Sequence, residues 1–276
     1  MGEPAAIGMK LCFSSLPCKD WTIDKTIEIC KQTGIRAIEL RLNFHNWEVE
    51  ELKSKLSKEN IVISNLGSSV LIRDYDENKI ELFKQALITA KELNAKGIRV
   101  FLGNFFTRYS EKKPPVSYDG IVKCLKEICD LALQDHVEVW IETHNEFSTG
   151  SVLRKLLDDV SRINCKVIWD IIHPYEQGES IEDTIKFIGN DIAHIHVKDG
   201  VPYDDPDLSS YQYTKIGEGI LPVDRIVKLL TERRYSGYYS LEWESAWREE
   251  IHNSDCTGEI IIPKYAEFMN QFPDNH

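Results

Sequence analysis

Four residues with metal-binding side chains stand at the ends of apolar runs in the second half of the chain. They are Glu142 in VWIETHN, Asp170 in VIWDIIHP, His196 in AHIHVKDG and Glu242 in YSLEWE. Such runs are buried on both faces when they form parallel strands, and an isolated carboxylate is too costly to keep ionised there. Three carboxylates brought together would also repel one another and raise each other's pKa. A divalent cation removes both penalties, so the pattern predicts a metal site.

The types of these side chains restrict which metal the site would hold. Carboxylate oxygens with a single imidazole suit Mn²⁺, Mg²⁺, Co²⁺ or Zn²⁺. No cysteine belongs to the set, which argues against a closed structural zinc site. The sequence therefore predicts one divalent metal ion as the cofactor.

Eight short β-rich runs alternate with helix-like stretches and would bring these four residues together. The runs cover residues 10–14, 37–42, 61–66, 97–102, 138–143, 166–171, 192–197 and 238–243. Successive runs are separated by enough chain for a crossover helix and two loops, so neighbouring strands are expected to be parallel. Eight such units predict an α/β fold with a single (β/α)8 TIM barrel. The active site of a TIM barrel lies at the C-terminal ends of its strands.

Residues 9–276 are expected to form this barrel as one catalytic domain. Residues 1–8 are small and polar and precede a second methionine, so they are interpreted as a leader or a cloning remnant. Helices are predicted over 22–33, ending before a glycine, and over 78–93. The longest irregular stretch, 199–221, follows the seventh strand and is predicted to act as a lid or substrate loop.

An open doubly wound sheet around a dinucleotide is the rival architecture, but its glycine fingerprint is missing. The first strand ends in FSSLPC, and the GEG at 217–219 has neither a preceding strand nor a third glycine. No phosphate-binding GxxxxGKS or GxxxxGKT loop occurs either. The sequence therefore gives no support to nucleotide-driven chemistry.

Charge and composition favour a small molecule as the partner. Acidic residues outnumber basic ones by 45 to 33, and a net charge of −12 would repel nucleic acid or an anionic membrane. No apolar run is long enough to span a membrane. The seven cysteines are dispersed without a CxxC pair, so we expect reduced thiols and a cytoplasmic protein. A homo-oligomer is left open.

The segments IETH, WDIIHP, HIHVKD and LEWE resemble the metal-binding strand ends of the xylose isomerase-like TIM barrel superfamily. This group of sugar phosphate isomerase/epimerase-like proteins includes sugar isomerases, ketose 3-epimerases, inosose dehydratase and endonuclease IV. The resemblance spans about residues 9–272 and implies that the four residues named above hold one divalent metal ion. It also implies that His173 lies behind the ligands or contacts the substrate. Endonuclease IV is disfavoured, because no Asp-x-His pair follows His196 and because the chain is acidic.

The resemblance implies proton transfer as the reaction. In the ketose epimerases that the chain resembles, two metal-bound glutamates exchange a proton with the carbon next to a carbonyl, and Glu142 and Glu242 occupy those positions. A divalent ion stabilises the resulting enediolate, which lowers the cost of deprotonating carbon. We therefore expect a divalent-metal-dependent sugar isomerase or epimerase. A hydride shift would normally employ a second metal, for which no ligand set is found.

Lys198 carries the alternative hypothesis. Ketose 3-epimerases often have an arginine a few residues beyond the metal histidine, whereas this chain has VKDG at 197–200. The pattern also resembles inosose dehydratase, a lyase in which a base removes a proton and an acid expels a hydroxyl. Lys198 would then be that acid or an electrostatic stabiliser of the enolate, unless it only forms a rim ion pair with Asp199 or Glu218. A barrel that binds sugar or metal without turnover is a third hypothesis.

Several further residues are candidates for substrate contact. His144 and Asn145 could hydrogen-bond sugar hydroxyls or could only cap a loop. Arg41 could reach a substrate anion or form a helix or rim ion pair. Trp247 is expected to form an apolar wall over a sugar face. No convincing phosphate site is found, which favours an unphosphorylated polyol, ketose or keto-cyclitol.

Aromatic and imidazole side chains near the ligands are given structural roles. His194 should share the face of His196 but lie deeper, so it is interpreted as a buried, hydrogen-bonded histidine. Trp140, Trp169 and Trp243 are expected to pack between the barrel and its helices.

Overall fold

A closed barrel of eight parallel strands forms the centre of the computed structural model, which describes residues 9–105 and 108–272. The strands are β1 (Lys10–Ser14), β2 (Ala37–Arg41), β3 (Val62–Ile72), β4 (Gly97–Leu102), β5 (Glu138–Glu142), β6 (Cys165–Asp170), β7 (Ile192–Val197), β8 (Gly200–Val201), β9 (Gln212–Tyr213) and β10 (Tyr238–Leu241). All except β8 and β9 belong to the barrel, in the order β1-β10-β7-β6-β5-β4-β3-β2. The predicted TIM barrel is confirmed. The stretch interpreted as a leader, 1–8, lies outside the described residues.

Helices follow the strands along the chain. They are α1 (Ile23–Thr33), α2 (Val49–Lys58), α3 (Glu77–Leu93), α4 (Tyr118–Leu133), α5 (Gly150–Val160), α6 (Ile172–Glu176), α7 (Ile181–Ile188), α8 (Val223–Glu232) and α9 (Gly258–Met269). Their buried apolar residues join those of the strands in one hydrophobic core. Among the described residues, no helix is both long enough and apolar enough to cross a membrane.

The ends of α1 illustrate how local sequence positions the elements. Thr22 precedes the helix and its hydroxyl accepts a hydrogen bond from the backbone N–H of Lys25, which satisfies one of the free donors of the first turn. Gly34 ends the helix in the left-handed conformation, with φ of 75°, where glycine has no steric penalty. The predicted end before Gly34 is therefore confirmed.

The third strand is longer than predicted. It continues through Gly67 to Ile72, with a shift in its pairing to β4 between Gly67 and Leu71. The run Gly67-Ser68-Ser69 has the composition of a turn, but it forms an irregularity inside the strand, as a β-bulge does. The predicted end at Leu66 is wrong for this reason.

Trp140 lies inside the barrel rather than beneath a helix. Its ring is stacked on that of the buried His194, with 5.5 Å between centroids. Trp140 is two residues before Glu142, and residues two apart on a strand share a face. The expectation that Trp140 packs against the helices is therefore wrong. Gly97 makes room for this ring, since a Cβ there would lie 2.2 Å from Trp140 Cε2.

Replacing Gly97 with alanine is expected to destabilise the fold by about 3 kcal/mol, at the upper end of the usual cost of overpacking. The ring cannot easily move away, because Trp140 Nε1 donates a hydrogen bond to Glu138 Oε2 at 2.8 Å. Urea unfolding measures the change. The neighbouring Lys96→Ala is a control, since Lys96 is 68% exposed and its loss should cost less than about 0.5 kcal/mol. Equal stability of the two variants would contradict the prediction.

The 199–221 segment, predicted to be a lid or substrate loop, is tied down by the buried Asp199. Its carboxylate accepts hydrogen bonds from the backbone N–H groups of Gly217 and Gly219 at 2.9 Å and of Leu221 at 3.1 Å. Within the segment, β8 and β9 pair as a short antiparallel ribbon. Its function as a lid or substrate loop stays a prediction.

Candidate metal centre and active site

The barrel brings together the four residues predicted as metal ligands. Each offers one ligand atom, and these atoms all lie within 4.8 Å of one another. All four side chains are buried. We call them the four-residue cluster; they are Glu142, Asp170, His196 and Glu242. Asp170 and His196 are register partners on β6 and β7, while the glutamates come from the flanking β5 and from the residue after β10.

The donor atoms of the cluster fit a divalent cation. His196 Nδ1, Asp170 Oδ2 and Glu242 Oε2 are buried and have no well-aligned hydrogen bond from any described residue. His196 Nδ1 lies 3.0 Å from Glu242 Oε2 and 3.9 Å from Asp170 Oδ2. Carboxylates buried this close to one another repel each other, and a cation would stabilise all of these donor atoms at once. One imidazole with carboxylates is a donor set for Mn²⁺, Mg²⁺, Co²⁺ or Zn²⁺.

Lys198 belongs to this centre. Its Nζ lies 2.6 Å from both Asp170 Oδ2 and Glu242 Oε2, and 2.9 Å from Glu244 Oε1. Burial acts to lower the pKa of Lys198, but the charges of Asp170 and Glu242 outweigh it and hold the pKa well above its ordinary value. The alternative of a rim ion pair with Asp199 or Glu218 is wrong, because the lysine points into the cluster. Lys198 thus places a protonated amine beside two predicted ligands.

Arg99, in the middle of β4, was missed by the sequence analysis. Its Nη1 lies 3.0 Å from Glu142 Oε2 and 3.0 Å from Glu242 Oε1, and the side chain is buried. Burial and the charge of Glu242 act to raise the pKa of Glu142, but Arg99 and His196 outweigh them and lower it. Burial likewise acts to raise the pKa of Glu242, which His196 and Lys198 hold well below its ordinary value. Both glutamates are therefore ionised near neutral pH.

Glu39, on β2, orients the histidine of the cluster. Its Oε2 lies 2.9 Å from His196 Nε2 and 3.1 Å from His194 Nε2, and it accepts a hydrogen bond from Ser240 Oγ at 3.2 Å. With its Nε2–H donated to Glu39, His196 turns Nδ1 toward the carboxylates. Such carboxylate–histidine pairs fix the ring of a metal-binding histidine and its tautomer. His194 agrees with its interpretation as a buried, hydrogen-bonded residue.

Glu39→Gln is expected to weaken divalent-metal binding by about 10- to 100-fold, the usual effect of losing such a partner. The neutral amide of glutamine cannot supply the negative charge that makes His196 a stronger metal ligand. Calorimetric titration of Mn²⁺ into metal-free protein measures the affinity. Glu50→Gln, the same change at an exposed site on α2, should leave the affinity unchanged. An unchanged affinity in Glu39→Gln would show that Glu39 does not act through His196.

His144 and His173 lie beside the cluster. Their rings are 4.4 Å apart between centroids, and each offers an atom within 4.8 Å of Glu142. Burial and the neighbouring His173 lower the pKa of His144 to about 4, so its ring is neutral at neutral pH. Asn145 Nδ2 donates to Leu102 O and its Oδ1 contacts His144 Nδ1, which agrees with the loop-cap alternative.

A cavity of about 270 Å³ opens next to these histidines. Its lining includes His144, Asn145, His173, Glu176, Gln177, Glu244, Trp247 and Arg248. Trp247 is 57% exposed and its ring lies 5.8 Å from that of Phe44; its function as an apolar wall over a sugar face stays a prediction. Glu176, at the end of α6, and Glu244, two residues after Glu242, were missed by the sequence analysis.

Arg41, the candidate for a substrate anion, lies at the end of β2. Its Nη1 donates to the carbonyl oxygens of Gly67 and Ser68, at 3.0 and 2.6 Å. Among the described residues, Arg41 forms neither of the predicted ion pairs, with a helix residue or with a carboxylate at the rim. The guanidinium instead lies over the irregular part of β3.

The family described as "Xylose isomerase-like TIM barrel" matches residues 27–258. The chain belongs to this family. The match covers most of the chain, so the resemblance noted from four short segments extends well beyond them.

Individual relatives and one solved structure are similar over 79% or more of the chain. An inosose isomerase from Halalkalibacterium halodurans is 25% identical, with 93% of this chain and 98% of that protein covered. A 3-dehydroshikimate dehydratase from Bacillus anthracis is 26% identical, with 79% and 84% covered. The crystal structure of the IOLI protein with a bound zinc atom superposes with a TM-score of 0.77 at 20% identity, covering 96% and 99% of the two chains. The superposition shows the shared fold.

Proposed function

We propose that this chain is a divalent-metal-dependent sugar isomerase or epimerase that moves a proton at the carbon next to a carbonyl. The observation that carries the proposal is the four-residue cluster, whose buried donor atoms converge at the C-terminal rim of the barrel. The similarity to an inosose isomerase supports the same class of reaction.

The four-residue cluster would hold the metal ion. When bound, a divalent cation supplies a Lewis acid that stabilises negative charge on a substrate oxygen. Glu39 holds His196 in the orientation that presents Nδ1 to the other three side chains. The zinc atom in the structurally similar IOLI protein supports a metal in this family, and the donor set of this chain suits Mn²⁺, Mg²⁺, Co²⁺ or Zn²⁺.

Glu142 and Glu242 are proposed as the two bases. They come from β5 and from the end of β10, on either side of the β6–β7 pair, so they can approach a substrate from two directions. Both carboxylates are ionised, as a proton acceptor must be. One would remove the proton from carbon and the other would return one to it.

Lys198 and Arg99 supply fixed positive charge around the reacting atoms. Both are buried and both contact Glu242. Preorganised charges in a site from which water is excluded stabilise developing negative charge more strongly than in water. His173 and the neutral ring of His144 line the adjoining cavity and are proposed to hydrogen-bond substrate hydroxyls. The proposed substrate is a small polyol-type carbonyl compound.

A dehydratase is the second candidate function, and the position of Lys198 favours it. Its Nζ carries a proton within 2.6 Å of two cluster carboxylates and could deliver it to a departing hydroxyl. The similarity to a 3-dehydroshikimate dehydratase supports this chemistry. Both candidates begin with removal of a proton next to a carbonyl.

A reducing compartment such as the cytoplasm is proposed as the location. All seven cysteines are free and buried, as in proteins that are not stabilised by disulfides. The state of oligomerisation is not part of the proposal.

Proton exchange in D₂O tests the proposed reaction. The Mn²⁺-loaded protein is incubated with ketoses and keto-cyclitols, and NMR follows the substrate. An epimerase or isomerase should place deuterium at one carbon without loss of water, whereas a dehydratase should produce an enone that absorbs in the ultraviolet. The Glu242→Gln variant should neither place deuterium in the substrate nor produce an enone. Absence of both changes with the wild-type protein across the panel would contradict the proposal.

A further inference from the structure

Two arginines and a glycine form one row across three neighbouring strands. Arg41 on β2 is the register partner of Gly67 on β3, and Gly67 is the register partner of Arg99 on β4. Register partners in a sheet direct their side chains to the same face. Arg99 points into the barrel, where it contacts two cluster glutamates, so Arg41 lies on the interior face as well.

Gly67 lies between the two arginine side chains and leaves no room for a side chain of its own. A Cβ at this position would lie 3.3 Å from Arg99 Nη2 and 3.5 Å from Arg41 Cδ. The absence of a side chain at Gly67 therefore lets both arginines lie against this glycine.

Part of the hydrogen-bonding capacity of these arginines is unused among the described residues. Arg41 donates from Nη1 only, and Arg99 likewise donates from Nη1 only. Arg99 Nε is buried and has no hydrogen-bond partner among the described residues, and the whole side chain is only 3% exposed. A guanidinium group with free N–H donors can bind a planar carboxylate through parallel hydrogen bonds.

Arg41 is charged at neutral pH. Burial and the neighbouring charge of Arg99 lower the pKa of Arg41 to about 10, so its guanidinium can form charge-assisted hydrogen bonds with an anion.

We propose that Arg41 and Arg99, on either side of Gly67, bind a carboxylate group of the substrate. The inference rests on the proposed function and narrows its substrate to a polyhydroxylated carbonyl compound that carries one carboxylate.

A pair of unreactive ring compounds tests the subsite. Quinate and myo-inositol are both polyhydroxylated cyclohexanes without a ketone, and only quinate carries a carboxylate. Calorimetry with Mn²⁺-loaded protein should show that quinate binds about 10- to 100-fold more tightly than myo-inositol, as expected for charge-assisted hydrogen bonds. Arg41→Gln should remove most of this preference. Gly67→Ala, whose methyl group would press against Arg99, should weaken quinate binding as well.

Arg36→Gln is the matched control, since Arg36 is an exposed arginine that donates to Glu59 O. It should keep the preference for quinate. Equal affinity of the wild-type protein for the two compounds, or no binding of quinate, would overturn the proposal. If Arg41 only braces β3, Arg41→Gln would lower the melting temperature and leave the preference intact, which would also overturn it.

The result is separable from the proposed function. Quinate is bound without turnover, so its affinity does not depend on the reaction. A preference for quinate together with no deuterium exchange would overturn the reaction alone. Exchange on neutral substrates without a preference for quinate would overturn the carboxylate subsite alone.

Discussion

Glu242→Gln is expected to lower kcat/KM by about 10³-fold or more, because loss of a general base alone typically costs 10²–10⁴-fold and the variant loses a proposed metal ligand as well. Glu142→Gln should behave in the same way. The amide of glutamine cannot accept a proton from carbon and is a weaker ligand for a cation. Steady-state kinetics on the substrate found by deuterium exchange measures the loss.

Stability measurements separate this effect from misfolding. Glu242 contacts both Arg99 and Lys198, so its replacement changes the balance of buried charge. The far-ultraviolet circular dichroism spectrum should nevertheless remain that of the barrel. Glu232→Gln, an exposed change on α8, should keep full activity. Full activity in either cluster variant would remove that glutamate from the mechanism.

Loading the metal-free protein with Mn²⁺ is expected to raise its melting temperature by roughly 5–10 °C. A ligand at 100 times its Kd stabilises the folded state by about 2.7 kcal/mol, and each kcal/mol is worth about 2–4 °C in a domain of this size class. The gain arises because the cation binds the converged donors of the folded protein and not the unfolded chain. Differential scanning calorimetry with and without EDTA measures it.

The metal-induced gain should grow as the pH rises from about 6 to 8. Burial acts to lower the pKa of His196, but Glu242 and Glu39 outweigh it and raise the pKa well above its ordinary value. Without metal, protonated His196 therefore stabilises the fold at low pH, and this contribution is lost as the pH rises through its folded-state pKa. Metal binding must displace the same proton, so it is favoured by higher pH.

His196→Gln should abolish the metal-induced gain at every pH, whereas His252→Gln, at an exposed position, should preserve it. A melting temperature that does not change with Mn²⁺ in the wild-type protein would contradict a resident metal. An equal gain in His196→Gln would place the metal elsewhere.

The barrel and its four converging residues could be predicted because their signal is local. Each of Glu142, Asp170, His196 and Glu242 ends an apolar run, and the C-terminal ends of barrel strands meet at one rim. The residues that support them lie inside strands, at positions that only the register reveals. Glu39 and Arg99 each interrupt an apolar strand, AIELR and GIRVFL, and that interruption was the available signal.

Contacts between distant parts of the chain could not be predicted from spacing. The predicted barrel already makes β7 and β10 neighbours, but the contact of Lys198 with Glu244 forms beyond the ends of both strands, where it depends on the path of the loops. The length of β3 was underestimated because Gly67 resembles the start of a turn. Gly67 forms a row with Arg41 and Arg99, and this row depends on the pairing of three strands.

The most direct test of the central claim is an anomalous difference map from crystals of the Mn²⁺-loaded protein. One peak should lie within about 2.0–2.3 Å of a donor atom from each member of the four-residue cluster. The imidazole donor should be His196 Nδ1, with Nε2 still hydrogen-bonded to Glu39. A map with no peak among these side chains, or a peak bound by other residues, would contradict the account.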